Sequence, residues 1–355
     1  MTLNFPFRII GMMSGSSLDG LDLVSVVFES ADGLKFHIEA AESRPYPEAW
    51  RQRLSDAHLL SGLELSFLDV EYGRFVGEQI RDFMQTHDLT AQAVAMHGHT
   101  VFHEPHKGLT LQIGNGAAVA AVCGLPVVGK FRDKDVALGG EGAPLVPIGD
   151  RLLFGQYAYC LNLGGIANIS YEEKGQRKAF DITTCNMALN TLARRQGLPF
   201  DRNGALAANG KSIQALRERL DALDFYRQSP PKSLGREWFE RVQRPIYLNY
   251  IEQGFSEADI LRTFVEHIAA QIGRVCERAG RMLITGGGAF NGFLVENIRK
   301  ACPKAVCETD DAMLIEYKEA LIFAFLGLLR LQNRINCLRS VTGASADHVG
   351  GCVFL

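Results

Sequence analysis

Arg8-Ile9-Ile10-Gly11-Met12-Met13-Ser14-Gly15-Ser16-Ser17-Leu18-Asp19-Gly20-Leu21-Asp22-Leu23-Val24-Ser25-Val26-Val27-Phe28 is the stretch whose reading decides the fold. Apolar and β-branched residues flank a cluster of glycine, serine and aspartate that suits only a turn, so it reads as strand, polar tip and returning strand. The layout recurs at residues 159–173, YCLNLGGIANISYEE, with the bend at Gly164 and Gly165 and a third strand following at residues 178–182, KAFDI. Each half of the chain therefore opens with a hairpin.

Working outward from the first hairpin, residues 34–46 read as a strand, and 47–60 and 64–87 as helices with apolar residues at helical spacing. Residues 93–98, AVAMHG, read as a short buried strand. In the second half the expected helices are 186–197, 212–223, 236–254 and 257–280, followed by a strand that runs into the glycines at 286–288 and a helix over 293–301. Alternating strands and helices in both halves predict an α/β protein of two lobes with a ligand cleft between them. No Pro/Ser-rich tether or charge block interrupts the chain, so the lobes join through a compact crossover.

With 355 residues, 47% hydrophobic and 22% charged, the chain is long enough for two cored domains. A net charge of −3 with no Lys/Arg block argues against a nucleic-acid partner. The first residues lack a signal-peptide pattern, and the apolar run from Ala320 is too short for a membrane span; a cytoplasmic location is expected. Eight cysteines without a CxxC pair predict reduced thiols and no zinc site.

Residues 11–20 lack the closing Gly-Lys-Ser/Thr of a Walker loop, yet their backbone amides and hydroxyls suit phosphate, and Asp19 and Asp22 could hold magnesium through water. A plain hairpin turn is the alternative. Gly286-Gly287-Gly288, at a strand-to-helix corner, suits a nucleotide or only a tight turn. His97, His99, His103 and His106 lie within ten positions, which would fit either a metal-hydrolase site or hydrogen bonding to a polar substrate. Arg132 is a fork for a carboxylate, or else a partner of Asp133 or Asp135. Asp181 is a general base at a strand end, or else a helix cap.

The ordered segments GMMSGSSLDGLD, HGHTVFHEP, QIGNGAAVA, FRDKDVALGGEGAPLVP, LNLGGIANIS, FDITTCN, ITGGGAFN and VTGAS resemble the anhydro-N-acetylmuramic acid kinases, within the sugar kinase and actin-like ATPase superfamily, over essentially the whole chain. The resemblance implies two actin-like (ribonuclease H-like) lobes, each a mixed sheet flanked by helices, over 1–133 and 134–355. It implies ATP and Mg2+ as cofactors and a small amino-sugar substrate, with neither nucleic acid nor membrane as partner; a homodimer is compatible with it. Asp181 would be the catalytic base. Gly15, Ser16, Ser17, Leu18, Asp19, Gly20, Leu21 and Asp22 would form the first phosphate loop, with Asp19 reaching the metal through water. Gly164, Gly165, Gly286, Gly287, Gly288 and Asn291 would also meet ATP, and His97, Thr100, His103, Arg132 and Asn186 the sugar. Three departures stand out: Asp181-Ile182-Thr183-Thr184-Cys185-Asn186 for the family's Asp-Thr-Gly-Pro-Gly-Asn, Lys130 for an aspartate, and Glu141 for a glutamine. Lys130 and Glu141 are expected to pair.

Overall fold

The computed structural model describes every residue except 1, 2, 16, 17 and 310. By its internal contacts the chain divides into Met1–Leu153 with Tyr317–Leu355, and Phe154–Glu316.

The first unit is built on β1 (Phe7–Ser14), β2 (Gly20–Phe28), β3 (Phe36–Pro45), β4 (Ala93–Met96) and β7 (Val127–Gly129), with β5 (His99–Glu104) and β6 (Leu109–Ile113) as a separate hairpin. β1, β2 and β3 run antiparallel in turn, while β4 lies parallel to β1 and β7 parallel to β4. Strand Cys352–Phe354 pairs antiparallel with β7 and closes the far edge. β1 is central and buried on both faces, as its run of apolar residues requires.

Helix Gly62–Thr86 starts at a capping box between Ser61 and Glu64 and buries Leu68, Tyr72, Val76, Ile80 and Phe83, a stripe at helical spacing. Each such side chain contributes about 1.5–3 kcal/mol on burial. Gly11 has a packing reason, because a Cβ there would stand 2.1 Å from the carbonyl oxygen of Ala320 in helix Ala312–Leu331.

The second unit repeats the plan with β8 (Tyr159–Leu163), β9 (Ile166–Glu173), β10 (Gln176–Thr184), β11 (Gly280–Thr285) and β12 (Ala305–Glu308). β8, β9 and β10 form the antiparallel meander, and β11 and β12 add in parallel beside β8. The spatial orders β3-β2-β1-β4-β7 and β10-β9-β8-β11-β12 correspond strand for strand. Helix Glu257–Gly273 is capped by Ser256 and buries Ile260, Leu261, Phe264, Val265, Ile268 and Ile272 in this unit's core. Both halves are thus mixed sheets with flanking helices, as expected.

Three features depart from the sequence reading. The division does not fall at 133/134, because residues 134–153 stay with the first sheet and the C-terminal segment returns to it, ending in the strand on β7. The pattern did not mark the short strands β5, β6, β7, β12 or Cys352–Phe354. The expected continuous helix over 236–254 is broken by a π-helical turn at Phe239–Gln243, which ends one residue short of Pro245. Proline has no N–H to donate and clashes with the preceding turn, so a regular ladder cannot run through it. Among the described residues no helix is long and apolar enough to cross a membrane.

Candidate active site

In the second unit the predicted residues converge at one end of the sheet. Asp181 lies on β10 at a bulge, where the register with β9 shifts between Asp181 and Thr183. Bulges re-aim side chains beside functional sites. Its Oδ2 accepts the amide of Leu234 at 2.8 Å, and its own amide donates to the carbonyl of Lys232 at 3.1 Å. Asp181 Oδ1 accepts no hydrogen bond from the described residues. Desolvation raises the Asp181 pKa above its ordinary value, and the Leu234 amide only partly offsets that. A half-buried carboxyl tuned upward with one oxygen open is suited to accepting a proton.

Beyond Asp181 the chain turns into helix Asn186–Arg195, whose cap residue is Cys185, with no side-chain cap bond. Capping by Asp181 is therefore not what is found. Backbone carbonyls serve instead: Gly165 accepts the amides of Cys185 and Met187, and Gly164 accepts that of Asn186. Asn186 Nδ2 donates to Leu163 O at 2.9 Å. These amides are thereby committed to the hairpin bend, whereas those of Gly164 and Gly165 donate to no described residue.

Gly286 and Gly288 press on the same bend. Gly286 has φ 81°, and a Cβ there would stand 2.5 Å from Asn162 Oδ1; one on Gly288 would stand 2.7 Å from Leu163 Cβ and 3.2 Å from Asn186 Oδ1. Gly164, Gly165, Asn186 and Gly286–Gly288 thus form one backbone-lined corner. Asn291 follows it as the N-cap of helix Gly292–Ala301, its Oδ1 accepting the Leu294 amide at 3.0 Å.

In the first unit Arg132 is the hub. Its Nε donates to His97 Nε2 at 2.7 Å and its Nη1 to Gly142 O at 3.0 Å. His97 Nδ1 faces Gly98 O at 2.8 Å, so the ring carries its proton on Nδ1 and is neutral. Burial and the neighbouring guanidinium push the His97 pKa down to about 3, and burial pushes that of Arg132 down to about 10. His103 joins the group, its Cε1 lying 3.4 Å from where a Cβ on Gly142 would stand and its Nδ1 3.0 Å from Thr110 Oγ1. Thr100 sits on the same β5–β6 hairpin and accepts from Gln112 Nε2 at 3.4 Å. A cavity of about 190 Å³ brings Leu18 beside His99 and Thr100.

Arg132 forms no ion pair with Asp133 or Asp135. The fully buried Asp135 instead accepts the Gly142 amide at 2.7 Å and the Thr342 hydroxyl at 2.7 Å, so it braces the loop that Arg132 touches. The expected Lys130–Glu141 pair is not formed either: Lys130, at φ 59°, acts electrostatically on Asp133.

Of the first phosphate loop, Ser16 and Ser17 lie outside the described residues. Gly15 and Leu18 flank them, Gly20, Leu21 and Asp22 begin β2, and Asp22 Oδ1 accepts the Ser43 hydroxyl at 2.6 Å. Desolvation raises the Asp22 pKa, Ser43 opposes it, and repulsion from Asp19 adds to it. Glu319, a residue the sequence reading did not select, is coupled to this group. Desolvation and then the Asp22 charge raise its pKa, while Arg132 and Lys318 pull the other way, although the side chain still reaches solvent. Its only sequence signal is an acid at the edge of an apolar helix.

Among the described residues no three His, Cys, Asp or Glu side chains are grouped to hold a metal, and both His97 nitrogens are engaged. The metal-hydrolase reading fails on that geometry. Magnesium carried on phosphates needs only one or two carboxylates, and the mutually repelling Asp19 and Asp22 fit that demand.

Residues 7–355 match the family model for anhydro-N-acetylmuramic acid kinase. A relative of that name from Acinetobacter baylyi is 32% identical over 373 residues, covering 97% of this chain and 98% of its own. Another of that name, from Mannheimia succiniciproducens, is 36% identical over 375 residues with the same coverage. The open carboxylate of Asp181, the glycine-lined corner and the Arg132–His97 pair therefore stand in a chain that belongs to the anhydro-N-acetylmuramic acid kinase family.

Proposed function

We propose that this protein is an ATP-dependent kinase that opens the 1,6-anhydro ring of anhydro-N-acetylmuramic acid with water and phosphorylates O6. The products are N-acetylmuramic acid 6-phosphate and ADP, and the role is recovery of cell-wall amino sugar in the cytoplasm. Family membership supports the reaction class. The observation that carries the residue assignment is Asp181, with one oxygen held by an amide and the other open, and its pKa raised by desolvation.

In this mechanism Asp181 Oδ1 takes a proton from water as the water oxygen bonds to C1. The C1–O6 bond breaks, and O6 attacks the γ-phosphorus as the bond to the β,γ-bridging oxygen cleaves. Arg132, oriented by His97, and His103, with Thr100 on the same hairpin, hold the sugar, and the corner at Gly164, Gly165, Asn186 and Gly286–Gly288 receives the nucleotide, with Asn291 fixing the helix that follows. Residues 15–22 line the phosphates. Asp19 and Asp22 would hold magnesium through water, and the ion would supply neutralisation of phosphate charge. Asp181→Asn tests the assignment: the variant should bind ATP and anhydro-sugar by calorimetry yet turn over neither. Full turnover by it would reject Asp181 as the base, and binding without turnover in the wild type would favour a sensor.

A further inference from the structure

The segment 224–235 straps over the strand that carries Asp181, and a buried hydrogen-bond network keys it in place. Leu234 and Lys232 bond to Asp181, and one side-chain alternation further on Thr183 Oγ1 meets Tyr226 Oη at 2.8 Å. Tyr226 Oη also lies 2.9 Å from His267 Nε2 and 3.0 Å from Gln243 Nε2, and His267 Nδ1 lies 2.6 Å from Asp221 Oδ1. Gln243 Oε1 accepts from the Thr184 hydroxyl. Thr183, Thr184, Gln243 and His267 are fully buried.

Proton positions follow from the chemistry of each partner. A carboxylate only accepts, so His267 carries its proton on Nδ1 and its Nε2 accepts from Tyr226. Burial keeps the imidazole neutral, lowering its pKa against the pull of Asp221. The Tyr226 oxygen then has two acceptor sites left, and the Gln243 amide and Thr183 hydroxyl fill them. The order is single-directional, from Thr183 through Tyr226 and His267 to Asp221, with no donor to spare. Gln243 is the last residue of the π-helical turn at Phe239–Gln243, and its side chain is buried there.

We propose that Tyr226, oriented by His267 and Gln243, is a positioning residue that locks β10 at Thr183 and the strap at Leu234, so that Asp181 presents Oδ1 alone to the reacting water. This rests on the reading of Asp181 as the base. Lys232, the nearby cation on the strap, is turned away to Phe225, with its Nζ 3.1 Å from Phe225 O and 4.6 Å from the ring centroid. It therefore does not supply the positioning.

The test compares Tyr226→Phe, Thr183→Val and the double variant with wild type, in the full chain. Each single variant should lower kcat about tenfold while KM for ATP changes less than about twofold, and the double should lose no more than Tyr226→Phe alone, since that variant already removes the partner of Thr183. The Asp181 carboxyl, followed by carbon NMR with Asp181→Asn for assignment, should titrate closer to an ordinary carboxylate in both single variants, because loosening the strap admits solvent. A lower melting temperature with wild-type kcat and unchanged Asp181 titration would overturn the proposal. If Tyr226→Phe does not fold, Thr183→Val carries the same comparison. Wild-type protein inactive on the anhydro-sugar would instead reject the proposed function; the titration alone then decides, and an unmoved Asp181 in Thr183→Val rejects the positioning role.

Discussion

The two units share a strand order but build their chemistry from different materials. In the first, Arg132 is desolvated against neutral His97, Asp22 and Glu319 hold raised pKa values near each other, and Lys318 pairs with Asp150 at 2.7 Å in the interior. In the second, the Asp181 carboxyl accepts one backbone amide, and beside its strand lies a buried network of Thr183, Tyr226, Gln243 and neutral His267 that ends on the Asp221 carboxylate. A duplicated sheet therefore supplies two similar strand ends, and under the proposed assignment the side chains divide the labour: one set of charges would hold a polar sugar, and one carboxyl would take a proton. Isolation matters for the base, since a nearby cation would lower its pKa and its basicity.

The largest break of this contrast is Asp181→Asn, expected to lower kcat by about 10³-fold with little change in stability, as read by steady-state kinetics beside thermal melts. Next is Arg132→Lys. A single ammonium cannot serve both His97 and Gly142 as the guanidinium does, so kcat/KM for the sugar should fall about 10–100-fold, with KM for ATP nearly unchanged. Gly286→Ala attacks the second unit's backbone: positive φ and contact with Asn162 should cost about 1–3 kcal/mol in chemical denaturation and raise KM for ATP more than KM for sugar.

The smallest effects are in pH. A base must be ionised, so the acid limb of kcat/KM should lie above pH 3.8, in the direction of the raised Asp181 pKa. Stability tests the first unit instead. His97 is neutral when folded, with its pKa depressed from 6.5 to about 3, so the unfolded chain binds the extra proton between those values. Its contribution is present above pH 6.5 and is lost as pH falls through that window. His97→Gln should flatten the decline, measured by urea denaturation at pH 7 and pH 5; an unchanged slope would show that His97 is not held neutral.

Both hairpins and the duplicated plan were legible because strand-turn-strand patterning is local, and Gly11 to Phe28 and Tyr159 to Glu173 carry it without help from the rest of the chain. Asp181 and Arg132 stood out by their places at strand ends and beside glycine-rich runs. The return of the C-terminal helix and strand to the first sheet was not legible, because residue pattern fixes a helix but not the sheet it covers. Glu319, Asp135 and the Tyr226–His267 network were hidden for a related reason. Each gains its significance from a partner far away in sequence, such as Asp22, Thr342 or Thr183. The π-helical turn had one local cue, Pro245 inside an otherwise helical run, and Gln243 at its end belongs to that network.

The most direct test of the account is ADP release from ATP and magnesium with 1,6-anhydro-N-acetylmuramic acid, run beside N-acetylmuramic acid and a no-sugar control. Release confined to the anhydro-sugar, and absent in Asp181→Asn, is the predicted result; equal release with plain N-acetylmuramic acid, or none with any sugar, would contradict it.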